Sequence, residues 1–488
     1  METKKNGFAS GIGFVLSAAG SAVGLGNLWG FPYKTAENGG AAFVLIYIVC
    51  VLLIGVVTML CEFHIGRRAA ANPVTAYKRI HKNVGWFGLI GVAIPAFIIC
   101  YYSVLGGYTV KYTLNSFSGN AGILGSFSTN VGEVILFTAI FAALALVIIM
   151  GGVKGGIERM SKVLMPILFL ILLAVAIYSL CLGDGVREGL NFYLNPDFSA
   201  VTFSSVLAAM GQAFFSLSLG MGTMIAYGSY TGKEINTVKS TAMICIFDTL
   251  VALLAGLAVF PAVAHFDPSL LEKAQGVGLM FSILPEVFAS MSALGQIVSF
   301  LFFAMVAIAA LTSVVSLVEV VTQLIIQRFR IDRRRAALIV TLACFAVSIP
   351  VGISLGRVGI MEEAGLSVFG MDLLTFFDEV TNTVLMPVCA FFACLAVGWL
   401  IGPRRAMEEM EDGATRLGVL KKIFPVMVRF VTPALILVVE VGGVISKIRA
   451  GQWFVVVAAY LLLALAAGAY FLFFKNKETG TNADEIRE

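Results

Sequence analysis

Charge is what this sequence has least of. Lys, Arg, Asp and Glu make up 13% of its 488 residues, about half the ~25% of an average soluble protein. A soluble domain must clothe itself in polar groups, and this chain has too few. The scarcity excludes an ordinary soluble enzyme, a nucleic-acid binder and a disordered chain. A net charge of +4 is too small to imply an acidic partner. Histidine is nearly absent: His64, His81 and His265 are the three, all at the ends of apolar runs or in loops. HExxH is missing, and no Ser/His or Cys/His constellation sits on an apolar segment, which argues against hydrolytic chemistry. The eight cysteines have neither metal-ligand nor disulfide-framework spacing, and read as small buried hydrophobes. The N-terminal METKKNGFASGIGF is polar and runs into a helix containing Asn27, so no cleavable leader is expected.

What is present is apolar. Hydrophobic residues are 59% of the chain, with 38 Phe and 50 Gly, and the mean hydropathy is +0.95. A bilayer core of ~30 Å needs ~20 apolar residues per helix. The expected fold class is therefore all-α, a polytopic membrane protein. Reading apolar runs and breakers gives twelve candidate spans, at 9–31, 40–65, 86–112, 131–150, 161–183, 203–231, 238–264, 288–327, 336–355, 372–401, 422–446 and 452–474. With the N-terminus inside, all 33 Lys and Arg fall on the inner side except Lys34, Lys111, Arg187, Lys273, Arg357, Lys447 and Arg449. That asymmetry obeys the positive-inside rule and puts both termini in the cytoplasm. The RIDRRR run at 330–335 reads as a topological anchor.

Two spans carry mid-membrane breaks. Span 1 contains Gly20-Ser21-Ala22-Val23-Gly24-Leu25-Gly26-Asn27, and span 6 contains Phe215-Ser216-Leu217-Ser218-Leu219-Gly220-Met221-Gly222. Gly is the weakest non-proline helix former. Unwound backbone in a bilayer is tolerated only where it lines a cavity or is buried in protein. There its carbonyls can bind cations and its half-helix N-termini can bind anions. The breaks lie five spans apart, so spans 1–5 and 6–10 would be equivalent halves of opposite topology, the pattern that points to a transporter's midplane site. Close packing through small residues remains the alternative, since Gly20 and Gly24 also form a GxxxG pair.

Ionisable residues inside apolar spans are functional candidates. Glu62, Asp248, Glu319, Asp378 and Glu440 are five such residues. Asp248, in AMICIFDTLVALLAGLAVFP, is either a cation ligand or a protonated structural acid. Glu62 stands beside His64 and Arg67 and is open to an interfacial ion-pair reading. Glu319 could brace a neighbouring helix, and Glu440 has no evident partner. Ala309-Ala310-Leu311-Thr312-Ser313 is a small-hydroxyl cluster. It either back-bonds to its own helix or forms a hard-cation site of hydroxyls and carbonyls, which suits a monovalent ion better than a divalent one. Tyr101 and Tyr102 are too deep for an interfacial belt, and a buried Tyr hydroxyl needs a partner.

GSAVGLGNLWGFPYKTAENGGAAF, GQAFFSLSLGMGTMIAYGSY and ALTSVVSLVE together resemble the neurotransmitter:sodium symporter family, in particular its bacterial amino-acid transporters. The resemblance covers spans 1–10 well and 11–12 more loosely. It implies one transporter domain: residues 1–200 and 201–401 as inverted repeats, 402–474 as spans 11 and 12, and 475–488 as a cytoplasmic tail. Two sodium ions are implied. The first would be held by Ala22, Asn27, Ser216 and Asp248 together with the substrate carboxylate. The second would be held by Gly20, Val23, Ala309, Thr312 and Ser313. The carboxylate would meet backbone amides near Leu25 and Gly26 and the Tyr102 hydroxyl. The ammonium would meet carbonyls around Ala22, Phe215 and Ser216. Ser21, Ile98, Phe215, Ser218, Met221, Ser313 and Leu317 would form the side-chain pocket, with Phe215 also its outer lid. Glu62, Gln212 and Asp378 would support or gate the site.

Three positions depart from the family pattern. Gly30 stands where an Arg usually pairs with the acid in span 10, while that acid, Asp378, remains. The inner-gate pair would be Lys5 and Gln327 in place of Arg and Asp. Phe8 replaces a Trp. The expected function is a sodium-coupled symporter of neutral apolar or aromatic L-amino acids in the cytoplasmic membrane. It would work by alternating access and without chloride. Its partners would be the amino acid, sodium and lipid, with no nucleic acid. A channel would need a continuous pore and rings of selectivity groups. A nontransporting amino-acid sensor is separated from a symporter only by uptake.

Overall fold

The computed structural model describes residues 7–118, 123–271, 278–355, 366–411 and 418–475. Two of its spans are broken at mid-length. Gly11–Ala22 starts on Ser10, whose side chain accepts from the Gly13 amide, and ends at Val23, whose ψ of 100° takes the chain out of the helix. The helix resumes over Gly26–Glu37, bent by 49° from the first half. These halves form span 1. A Cβ on Gly24 would overlap Ser313 Oγ and Tyr102 Oη, so only glycine lets the unwound strand pass between them. Span 6 is likewise two helices, Phe203–Ser216 and Thr223–Ser229. Between them Ser218, Gly220 and Gly222 take φ of 52°, 72° and 68°, a left-handed backbone that breaks any helix.

Ten further helices are long and apolar enough to cross a bilayer, all among the described residues. They are span 2 (Ala41–Ala69), span 3 (Gly85–Asn115), span 4 (Val131–Met150), span 5 (Val153–Leu180), span 7 (Thr237–Phe266), span 8 (Leu294–Phe329), span 9 (Arg333–Leu355), span 10 (Leu373–Ile401), span 11 (Leu420–Arg449) and span 12 (Trp453–Phe474). Spans 3 and 8 pack along each other and form the centre, with 78% and 72% of their apolar windows buried. Spans 4, 5 and 12 bury 33%, 33% and 22% and form the rim. Both broken spans reach the central pair, so the two breaks open onto its wall.

Three expectations change. Span 5 begins at Val153 rather than 161, because Val153–Glu158 continues it as a wide turn. Span 8 begins later than 288, because Leu284–Ser290 is a separate short helix. Seven of the eight cysteines are buried, but Cys181, at the end of span 5, is exposed.

Candidate functional site

The breaks in spans 1 and 6 face each other across a small cavity. Ser21, Ala22, Gly24 and Gly26 line it from span 1, and Ile98 and Tyr102 from span 3. Phe215, Ser218 and Met221 come from span 6, and Ser313 and Leu317 from span 8. All seven residues expected to contact a side chain are among these, and no lining residue carries a formal charge. Phe215 is half-buried and lies against the backbone of Gly26, where a Cβ would sit 2.9 Å from its ring. Tyr102 Oη accepts the Leu25 amide at 2.8 Å, which answers the requirement of a buried Tyr. Serines tie the breaks together: Ser218 Oγ donates to the Ser21 carbonyl at 2.9 Å, and Ser21 Oγ lies 2.7 Å from Ser316 Oγ. That network holds Ser218 in a conformation costly for a residue with a Cβ.

On one flank lies Asp248, fully buried. Asn27 Nδ2 donates to its Oδ1 at 2.8 Å and to its carbonyl at 3.1 Å. Ser216 Oγ and Tyr47 Oη donate to its Oδ2 at 3.1 and 3.2 Å. Asn27 and Ser216 thus both contact Asp248, with Ala22 lining the cavity. Tyr47 was missed by sequence reasoning. It is a fully buried Tyr within AAFVLIYIVC, and the rule that singled out Tyr101 and Tyr102 would have found it.

On the other flank span 8 presents its hydroxyls to the span 1 break. Ser313 Oγ lies 3.0 Å from the Ser21 carbonyl oxygen and 3.4 Å from those of both Gly20 and Val23. The Ser21 oxygen also accepts from Ser218 Oγ, and the one Ser313 proton cannot serve both the Gly20 and the Val23 oxygens. Thr312 Oγ1 donates to the Ala309 carbonyl at 2.9 Å, and a Cβ on Gly20 would sit 3.4 Å from Thr312 Cβ. Gly20, Val23, Ala309, Thr312 and Ser313 therefore form one cluster of uncharged oxygens. Carbonyl and hydroxyl oxygens are what these five residues could offer a hard monovalent ion.

The supporting acids are placed differently from one another. Glu62 is not in an interfacial ion pair. It is buried, and its Oε1 accepts the Gly220 amide at 2.8 Å inside the span 6 break. The expected partners are engaged elsewhere: His64 Nε2 lies 3.3 Å from Glu409 Oε2, and Arg67 Nη1 donates to the Ile235 carbonyl at 3.1 Å. Gln212 Nε2 donates to the Gly26 carbonyl at 2.6 Å. Asp378 accepts from Asn382 Nδ2 at 2.5 Å. Gln327 accepts from the amide and side chain of Asn72 at 3.0 and 2.6 Å, and its expected gate partner, Lys5, lies outside the described residues. Glu319 is held by Arg333, Nη1 at 2.6 Å and Nη2 at 2.9 Å, and by Tyr230 Oη at 2.6 Å. Arg333 is thus more than a topological anchor. Glu440 has a partner too, the Tyr460 hydroxyl at 3.1 Å.

Residues 5–123 and 121–469 match the sodium:neurotransmitter symporter family. The chain belongs to that family. It is a multi-pass membrane transporter that uses sodium, not an enzyme. It is 36% identical to the sodium-dependent transporter YhdH of Bacillus subtilis over 463 residues, covering 91% of this chain and 99% of that one. It is 27% identical to the sodium- and chloride-dependent GABA transporter 2 of Macaca fascicularis, over 82% of this chain and 73% of the relative. Among solved structures it is similar to MhsT in complex with L-phenylalanine, with a TM-score of 0.82 and 37% identity, over 90% of this chain and 99% of MhsT.

Proposed function

We propose that this symporter carries neutral apolar or aromatic L-amino acids into the cytoplasm together with sodium at two sites, by alternating access and without chloride. The observation that carries the reading is the uncharged cavity set between the Asp248 cluster and the Thr312–Ser313 cluster. A charged side chain buried there would lack a counter-ion and cost several kcal/mol. A zwitterion's main-chain groups would instead meet the polar backbone of the two breaks. The L-phenylalanine held by MhsT supports the same substrate class.

Asn27, Ser216, Asp248 and the Ala22 carbonyl form the first sodium site in this reading. The oxygens of Gly20, Val23, Ala309, Thr312 and Ser313 form the second. The substrate carboxylate completes the first sodium's shell, so each ligand raises the other's affinity. The inward membrane potential adds ~2.3 kcal/mol per charge per 100 mV. Residues 1–200 and 201–401 move as the two repeats, and both termini face the cytoplasm. Uptake of radiolabelled amino acids by proteoliposomes, with and without an inward sodium gradient, tests the proposal. Concentrative uptake of neutral amino acids that collapses without the gradient is expected, and gradient-independent equilibration would refute it.

A further inference from the structure

The outer edge of the cavity has a charge arrangement of its own. At Gly30 there is no side chain, and the space beside it is taken by Gln212, whose Oε1 would sit 3.4 Å from a Cβ there. One helical turn further on, on the same face of span 1, stands Lys34. Its ammonium lies 6.0 Å from the ring centroid of Phe215 and 5.9 Å from that of Tyr33, within the range of a cation–π contact. Phe215 is the ring that lines the cavity. Lys34 therefore stands within cation–π range of a ring that lines the cavity.

The fields of three carboxylates reach this lysine, none of them within ion-pair distance among the described residues: Asp378 and Glu379 of span 10, and Glu37 of its own helix. Glu379 is already neutralised by Lys447 of span 11, at 2.6 Å, and also accepts from Thr383 Oγ1 at 2.7 Å. Among the described residues Asp378 accepts from the neutral amide of Asn382 and has the neutral Tyr101 hydroxyl beside it, and the cations whose field reaches it are Lys34 and Lys447. With Lys447 engaged by Glu379, Lys34 is the counter-charge left for Asp378. A carboxylate in such surroundings is costly without a cation.

We propose that Lys34 is the latch of the outer closure. Its charge, drawn by Asp378 across the gap between spans 1 and 10, presses on the Phe215 ring and keeps it over the cavity. Lys34 is a positioning residue, since it acts on the substrate through Phe215. The inference rests on the proposed function only for the identity of the ligand.

The test uses the full-length protein in two measurements. In the first, a reporter Ile98→Cys at the cavity wall is labelled by a membrane-impermeant methanethiosulfonate, and the modified peptide is quantified by mass spectrometry. This needs no substrate. Lys34→Met and Asp378→Asn should each speed labelling by about tenfold, the equivalent of ~1.4 kcal/mol of lost closure. The double variant should be no faster than the faster single one, because both act through one interaction. Lys34→Arg should keep the wild-type rate. In the second, release of tritiated L-phenylalanine in sodium should accelerate in the same order. Wild-type labelling rates in Lys34→Met, or multiplicative effects in the double variant, would overturn the latch. Accelerated labelling in a protein that binds no neutral amino acid would uphold the latch and refute the substrate reading instead.

Discussion

Asn27 and Asp248 are joined twice, once through the Asp248 carboxylate at 2.8 Å and once through its backbone carbonyl at 3.1 Å. The double tie fixes the unwound segment of span 1 to span 7 at a position where a carboxylate lies fully buried. Asp248→Asn is the informative change there. An amide keeps an oxygen for Asn27, and the hydroxyls of Ser216 and Tyr47 can turn to accept its new N–H groups, so the fold should survive. What is lost is a permanent negative charge beside the proposed first sodium. We expect wild-type uptake to be unchanged when gluconate replaces chloride. We expect the variant to be inactive or newly chloride-sensitive. A wild-type protein that stalls without chloride would overturn this role for Asp248.

Thr312→Val separates the second proposed sodium site from the first. Valine keeps the β-branched shape and removes the oxygen that now donates to the Ala309 carbonyl at 2.9 Å. Half-maximal sodium concentration should rise about tenfold, corresponding to ~1.4 kcal/mol, with the protein still folded. Uptake at saturating sodium should stay near wild type. An unchanged sodium dependence would remove Thr312 from the ligand set.

The cavity's lining sets the expected substrate range. Ile98, Phe215, Met221 and Leu317 are apolar, and the polar groups are hydroxyls. Met221 is flexible enough to adapt to varied shapes, so leucine, tyrosine and tryptophan should all compete for uptake. Lysine, arginine, aspartate and glutamate should compete at least about a hundredfold more weakly, since an unpaired buried charge costs several kcal/mol. Equal competition by any of the four would refute the uncharged-pocket reading.

Membrane solvent made the scaffold and the breaks legible. Lipid forces backbone groups to bond internally, so the spans declared themselves as apolar runs and the breaks as the glycine-rich interruptions at Gly24 and Gly220. Fixed i, i+1 spacing put Thr312 and Ser313 on one helix, but their approach to Gly20 and Val23 follows from packing between spans 1 and 8. That was available only through family likeness. Charge pairing was the least legible part. Glu319 and Arg333 are separated by a helix turn-around, Glu62 bonds a backbone amide rather than its cationic neighbours, and Lys34 takes its significance from a glycine four residues earlier. Such partners are chosen by three-dimensional proximity, and local sequence carries no trace of them.

The Arg333–Glu319 pair gives the clearest stability prediction. Glu319 is fully buried in span 8; Arg333, at the start of span 9, grips it with two nitrogens, and Tyr230, just past the second half of span 6, adds a third donor. The same Tyr230 offers its carbonyl to the Phe8 amide at 3.3 Å, so this cluster links spans 1, 6, 8 and 9 on one side of the molecule. Arg333→Met leaves the carboxylate buried with only a hydroxyl, which should cost about 3–5 kcal/mol. Glu319→Gln with Arg333→Met removes both charges and should recover most of that loss, because the penalty is the orphaned charge rather than the missing attraction. Thermal unfolding of the purified variants in detergent checks this. The single Arg333→Met variant should melt well below the double variant; if both melt alike, the pair contributes through packing, not through charge compensation.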